Sequence, residues 1–310
     1  MKIFQSITEF HSDKKTVVTI GTFDGVHLGH QKIIEKLTEN AKSCDCESLI
    51  LTFFPHPRMV LQEQSEIKLL NTIRERTALL QNTGLDNLII HPFDKNFSRL
   101  TAEEFVKDIL VDKLNIKKIV IGHDHRFGRN RTADIDDLVA FGEKYDFEVE
   151  QISAQEINYI SISSTKIRMA LEEGNIGLAN DFLGYSYFLT GVVVQGKQLG
   201  RTIGFPTANL KIAEVYKLIP KIGIYIVRSV INTKVVYGMM SIGTNPTVGG
   251  QTLSIEVYYL DFNGDLYGHE IEVAILHYIR PEEKFSGIEA LKAKIHDDER
   301  YTRKFLLDKV

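Results

Sequence analysis

Two histidines three residues apart, His27 and His30, lie in the segment TVVTIGTFDGVHLGHQKIIEKL. The segment passes from an apolar strand pattern through a glycine-containing turn into an amphipathic helix pattern. Gly21, Gly25 and Gly29 let the backbone come close to a ligand, and the unpaired amides and positive end of the helix attract anionic oxygens. At that end, two imidazoles can donate hydrogen bonds to a phosphoryl group as charge builds on it. Taken in isolation, the pair is also compatible with ordinary turn or capping residues. Farther along, ISSTKIRMAL sets Ser163, Ser164, Thr165 and Arg168 at a predicted helix start. There the hydroxyls can cap the helix and the guanidinium can grip a phosphate bidentately. Alone, that segment is also an ordinary cap beside a surface arginine.

A second set of residues falls in the other half of the chain. The stretch GKQLGRTIGFPTANL ends in Thr207 and Asn209, whose oxygens, two apart in extended chain, point to one side and suit a hard cation. As a bare string it also reads as a turn in which both residues serve backbone hydrogen bonds. In SIEVYYLDF, alternation puts Leu253, Ile255 and Val257 on one face of a strand and Glu256 on the other, which leaves Glu256 as either a solvent-facing residue or a catalytic carboxylate.

The elements that must hold these residues change character along the chain. Up to about residue 150, the apolar runs Val17 to Ile20, Leu49 to Phe54, Leu88 to Ile90, Ile119 to Ile121 and Phe147 to Ile152 alternate with helical patterns. This rhythm predicts an α/β domain with a parallel sheet. Thr101 followed by Glu104 is a capping-box signature ahead of Phe105, Ile109 and Leu114, so a helix is predicted to begin there. After about residue 184, the strand patterns Phe188 to Val194, Ile222 to Val230, Val235 to Ile242, Leu253 to Phe262 and Ile271 to Tyr278 are separated by Gly, Asn and Asp turns. They predict an antiparallel barrel or sandwich. From Gly287 onward, Ile288, Leu291, Ile295 and Phe305 fit one face of a terminal helix. The boundary is expected between Asn180 and Tyr187, giving domains 1–183 and 184–310.

Composition narrows the function classes. Lys and Arg total 37 against 41 acidic residues, a net charge of -4, which provides no large basic field for nucleic acid. The two cysteines, Cys44 and Cys46, can furnish neither a four-ligand zinc site nor a disulfide framework. No apolar run reaches the roughly 18 residues of a membrane span, so a cytoplasmic protein with no membrane partner is expected.

GTFDGVHLGH together with ISSTKIR, in order with TFFPHPR and GHDHRFGRNR, resembles the HxGH nucleotidyltransferase superfamily, specifically the bacterial FMN adenylyltransferase module. The resemblance implies a Rossmann-like domain that binds ATP at the first turn, around Gly21, Phe23, Gly25 and Gly29. Its phosphates would lie near His27, His30, Ser163, Ser164 and Thr165, with Arg168 also on phosphate. It further implies flavin near Pro55, His56, Pro57 and Asp124. The chain departs from that family at His125, where Phe is more usual, and at Thr132–Ala133, where a glycine is commoner. Asp24 is an indirect partner for a metal or a turn carboxylate bonding local amides.

GRTIGFPTANL, SIGTNPTVGG, SIEVYYLDF and LYGHEIEVAILHYIRPEEKFSG resemble the riboflavin kinase family, a small β-barrel with a C-terminal helix. The resemblance implies Mg²⁺ held by Thr207 and Asn209, nucleotide near Gly200, Gly204 and Thr207, and Glu256 as the base that accepts the riboflavin hydroxyl proton. Arg280 and Phe285 would close over flavin. The two families occur fused in bacteria in this order. What they imply is a bifunctional flavin-cofactor enzyme: riboflavin and ATP give FMN and ADP, then FMN and ATP give FAD and pyrophosphate. A monomer or weak homo-oligomer is expected. The other readings are a nucleotidyltransferase for a different phosphorylated compound, such as a pantetheine or nicotinate nucleotide, and a flavin-binding carrier or regulator without turnover.

Overall fold

A computed structural model describes residues 1–62, 66–122, 126–129, 132–152, 162–196, 199–247 and 250–309. The chain divides into two compact units, Met1–Ser164 and Thr165–Val310.

The first unit runs β1 (Lys2–Phe4), β2 (Thr16–Ile20), α1 (Leu28–Ser43), β3 (Glu47–Phe53), α2 (Pro57–Leu61), α3 (Ile73–Gln81), β4 (Asn87–His91), α4 (Ala102–Glu104), β5 (Ile116–Gly122), α5 (Ile135–Tyr145) and β6 (Glu148–Ile152). Its six strands form one sheet in the order β1-β4-β3-β2-β5-β6, with every pairing parallel. The middle strands are apolar runs because helices cover both faces: Val17, Val18, Leu49, Ile50 and Leu51 are all buried. From β2 the chain adds β3 and then β4 on one side and returns to lay β5 on the other. The strand order therefore reverses at β2 and β5, where open α/β sheets bind ligands beyond the carboxyl ends of the strands. The β2–α1 turn lies at that place.

The predicted capping box is present, with Thr101 and Glu104 bonded reciprocally. The helix then winds as a π-helix over Phe105–Val111, with the amides of Asp112 and Leu114 donating to the carbonyls of Lys107 and Ile109. This wider winding moves the buried face onto Phe105, Val106, Leu110 and Leu114 and leaves Ile109 only partly covered, so the expected ordinary-helix stripe is corrected at that position. At the start of β3, Cys44 and Cys46 are paired as a disulfide across one residue, a single link where the cysteine count excluded a framework.

The second unit contains α6 (Ser164–Glu173, whose first residue, Ser164, belongs to the first unit), α7 (Ile176–Leu183), β7 (Phe188–Val194), α8 (Leu199–Thr202), β8 (Ala208–Lys211), β9 (Gly223–Ile231), β10 (Lys234–Thr247), β11 (Gly250–Tyr259), β12 (Glu270–Arg280) and α9 (Ile288–Lys309). Gly184, with φ 77°, ends α7 in the left-handed conformation that glycine adopts without steric cost. The strands close into a barrel in the order β10-β11-β8-β7-β12-β9, and β9 pairs back onto β10. Ile255, Val257 and Tyr259 are buried on one face of β11, as period-two alternation requires. The parallel α/β sheet, antiparallel barrel and C-terminal helix expected from the pattern are thus all present. One correction concerns α9: Ile288 is 61% exposed, and the most buried positions are the polar Asp298 and Thr302. A hydrophobic pattern could not locate these, because Asp298 is held by an ionic partner on β12.

Candidate functional site: two phosphoryl-transfer constellations

In the first unit, the β2–α1 turn carries three residues in the left-handed region, Phe23 (φ 47°), Gly25 (φ 90°) and Val26 (φ 37°). Only glycine enters that region freely, and for a β-branched valine it is a costly conformation that persists where the surroundings enforce it. The enforcement is visible. The Asp24 carboxylate accepts the backbone amides of Leu70 (3.2 Å) and Asn71 (3.3 Å), and Arg76 of α3 lies 3.6 Å away, with both side chains 1% exposed. Asp24 thus bonds amides more than forty residues distant in sequence. Gly21 faces the Phe23 ring, where a methyl group would come within 3.1 Å.

His27 is the N-cap of α1, its Nδ1 accepting the amide of His30 at 3.4 Å. With Nδ1 acting as acceptor, the proton of the neutral ring sits on Nε2. The two imidazoles stack with centroids 3.6 Å apart and planes 16° apart. Nδ1 of His30 is enclosed and has no partner among the described residues, so its ring proton also belongs on Nε2, where it is not buried unsatisfied. Burial, then His27, then Arg76 hold His30 well below the ordinary histidine pKa. The outcome is a pair of neutral imidazoles side by side at a helix start. Gly29 is buried within the same first turn of α1.

Ser164 completes this end. Its hydroxyl donates to the backbone carbonyl of Asp24 at 2.9 Å, which brings the start of the ISSTKIR segment onto the GTFDG turn, 140 residues away in sequence. Ser163 is half-buried and Thr165 exposed, while Arg168 is half-buried four residues after Ser164 on α6. At the carboxyl end of β3, Pro55 follows a cis bond from Phe54, His56 caps α2 by accepting the Arg58 amide at 3.1 Å, and Pro57 is the first residue of that helix. Asp124 and His125 lie outside the described residues. Ala133 is buried and bridges to Phe127.

In the second unit, Thr207 Oγ1 donates to Glu256 Oε2 at 2.8 Å. Glu256 of β11 stands directly opposite Asn209 of β8, and residues opposite each other in an antiparallel pair point to the same side. Thr207, Asn209 and Glu256 are thus gathered on one face. Gly196 makes room for them, since a methyl group there would overlap the Asn209 carboxamide. Gly200 is overlaid by the carbonyl of Phe205 and accepts the Phe205 amide at 2.8 Å, while Gly204 takes φ 90°. Arg280 directs Nε and Nη2 onto the Asp298 carboxylate (2.9 and 2.7 Å) and Nη1 onto the Pro281 carbonyl (3.0 Å). Its guanidinium lies 5.9 Å from the Phe285 ring centre.

Residues 9–166 match the FAD synthetase family and residues 183–306 match the riboflavin kinase family. A relative from Listeria monocytogenes called bifunctional riboflavin kinase/FMN adenylyltransferase is 40% identical over 96% of this chain and 95% of its own length. The chain belongs to the bifunctional riboflavin kinase/FMN adenylyltransferase family. An Escherichia coli K12 member of the family is 37% identical over 93% of this chain and 92% of its own. A solved structure from Streptococcus pneumoniae, described as a macrolide-efflux protein, aligns with a TM-score of 0.89 at 32% identity over 97% of this chain and 98% of that one. Among the described residues here, no helix is long and apolar enough to cross a membrane.

For this family member, sequence reading passed over three residues that the structure places at or under the two constellations: Arg76, Gly196 and Asp298. Arg76 was the most accessible to inspection. It shares a helical face with Ile73 and Leu80 behind the Thr72–Glu75 capping box, and an arginine among apolar positions signals a buried partner.

Proposed function

We propose that residues 184–310 phosphorylate riboflavin to FMN and that residues 1–183 adenylylate FMN to FAD, with ATP as the co-substrate of both steps. Support comes from two family matches in that order over nearly the whole chain. The observation that carries the residue assignment is the Thr207–Glu256 hydrogen bond opposite Asn209.

In the kinase step, the primary hydroxyl of riboflavin attacks the γ-phosphorus of ATP, the bond to the β-phosphate oxygen breaks, and ADP leaves. A neutral hydroxyl needs a base. Glu256 takes its proton through the carboxylate oxygen not occupied by Thr207. Because the Thr207 hydroxyl spends its proton on Glu256, its lone pairs face outward beside the Asn209 carboxamide. This pair of neutral oxygens suits Mg²⁺, which keeps most of its waters and takes few protein ligands. When bound, Mg²⁺ supplies charge neutralisation to the phosphates. Gly200 and Gly204 shape the turn that approaches the nucleotide, and Arg280 with Phe285 borders the flavin.

In the adenylylation step, an FMN phosphate oxygen attacks the α-phosphorus of ATP and pyrophosphate leaves. The nucleophile is already anionic, so no base is required and catalysis rests on position and charge stabilisation. His27 and His30 donate from Nε2 to the α-phosphoryl oxygens, while the turn from Gly21 through Phe23 and Gly25 to Gly29 lies against the triphosphate. Ser163, just ahead of α6, and Ser164, Thr165 and Arg168 on it bind phosphate. Pro55, His56, Pro57 and Asp124 border the FMN ring. The protein works as a cytoplasmic monomer or weak homo-oligomer without nucleic acid.

A time course with riboflavin, ATP and Mg²⁺, separating riboflavin, FMN and FAD, tests the reading. FMN should form first and FAD second. Folded protein that leaves riboflavin unchanged would sink the kinase assignment, and FMN that never becomes FAD would sink the other.

A further inference from the structure

The Asp24–Arg76 pair stands out because neither residue can touch a ligand through solvent: both side chains are 1% exposed. Replacing a buried ion pair by apolar residues of similar size is commonly neutral or stabilising, so net stability is a poor account of its presence. Its geometric consequences are specific. The carboxylate ties the turn to the amides of Leu70 and Asn71 ahead of α3, and the backbone carbonyl of the same residue receives the Ser164 hydroxyl. Phe23, its neighbour, packs on the His30 ring at 5.0 Å, and His30 stacks on His27. One buried aspartate thereby connects α3, the turn, the two imidazoles and the first residue of α6.

We propose that Asp24 and Arg76 are positioning residues of the adenylylation site, a buried ion pair that fixes the left-handed turn on which Phe23 and the His27–His30 stack are seated. This rests on the adenylylation reading of that site. The groups bearing on His30 are His27 from its own turn and Arg76 from α3, with Asp24 balancing the latter. Of the strands beneath α1, β2 has no titratable side chain, and the Glu47 of β3 and the Lys117 and Lys118 of β5 stand at the amino ends of their strands, away from the turn. The buried Arg76 charge opposes protonation of the His30 ring.

The test uses the full-length Arg76→Met variant and the Asp24→Asn/Arg76→Met double variant, the second removing both charges in case the first leaves the aspartate too costly to bury. Imidazole NMR follows the His30 ring, and FAD formation from supplied FMN is measured from about pH 5.5 to about pH 9, with riboflavin phosphorylation as the internal control. The expected result is a His30 titration displaced to higher pH and an acid limb of FAD formation displaced with it. The kcat/KM for FMN should also fall on the order of a hundredfold, with phosphorylation unchanged. An unmoved His30 titration and acid limb in a folded variant would overturn the proposal, as would equal losses in both activities. If the parent protein fails to make FAD from FMN, the functional reading fails, while the His30 titration still decides whether Arg76 governs the ring.

Discussion

The Thr207 hydroxyl donates to Glu256 across 2.8 Å between the end of the PTAN turn and the middle of β11. The bond occupies one carboxylate oxygen of Glu256, and in the proposed kinase step the other oxygen takes the substrate proton. In the proposed kinase step one contact would therefore serve both the base and the cation side, joining residues 49 positions apart in sequence.

Glu256→Gln keeps the shape and removes the base. FMN formation from riboflavin should fall by about two to four orders of magnitude, while FAD formation from supplied FMN continues at the parental rate. Separate initial-rate assays of the two steps decide it, and an equal loss in both would refute independent sites.

His30→Ala should do the reverse. Removing one donor to the developing phosphoryl charge costs about two to three orders of magnitude in comparable sites, so FAD formation collapses and FMN accumulates. Chromatography of a single reaction starting from riboflavin would show the flavin stopping at FMN.

Gly196→Ala places a methyl group into the Asn209 carboxamide. The expected effect is a weaker cation site rather than a lost base: the Mg²⁺ concentration for half-maximal phosphorylation should rise about tenfold, with activity recovering at high Mg²⁺. Loss of activity that no Mg²⁺ concentration restores would argue that Asn209 is not a cation ligand.

The burial that lowers the His30 pKa also couples pH to stability. Below the ordinary histidine pKa of about 6.5, the unfolded chain binds a proton that native His30 refuses. Its contribution is therefore fully present above that pH and is lost as pH falls. His91, lowered chiefly by burial, acts in the same direction. The informative measurement is the difference between the parent and His30→Gln in calorimetry from about pH 7.5 down to about pH 5.5, where the variant should lose less stability.

Asp298→Ala leaves the largely buried Arg280 with only the Pro281 carbonyl and the more distant Glu283 carboxylate. Breaking such a pair by removing one partner costs about 3 to 5 kcal/mol, so the barrel unit should unfold at clearly lower temperature and phosphorylation should be heat-labile. Thermal unfolding followed alongside the two activities would show whether adenylylation outlasts it.

Much of this protein is determined by local sequence. Alternating apolar runs and helical patterns identify a parallel sheet before residue 150 and an antiparallel barrel after residue 184, because strand and helix periods are set by backbone geometry alone. The Thr101–Glu104 cap follows from side chains that bond amides three residues away, and the helix beginning in ISSTKIR lies where the sequence predicts it. Tertiary structure decided what no local rule contains. The π-helical winding after Phe105 moved a buried face by changing the hydrogen-bond period. Asp298 became the most buried kind of position on α9 only because Arg280 arrives from β12. In sequence Asp24 reads as an indirect metal partner or a turn carboxylate, and only folding brings the amides of Leu70 and Asn71 and the charge of Arg76 to it. Short-range steric and hydrogen-bond preferences are written in adjacent residues; the pairing of buried charges is settled by which distant segments the fold brings together where water cannot follow.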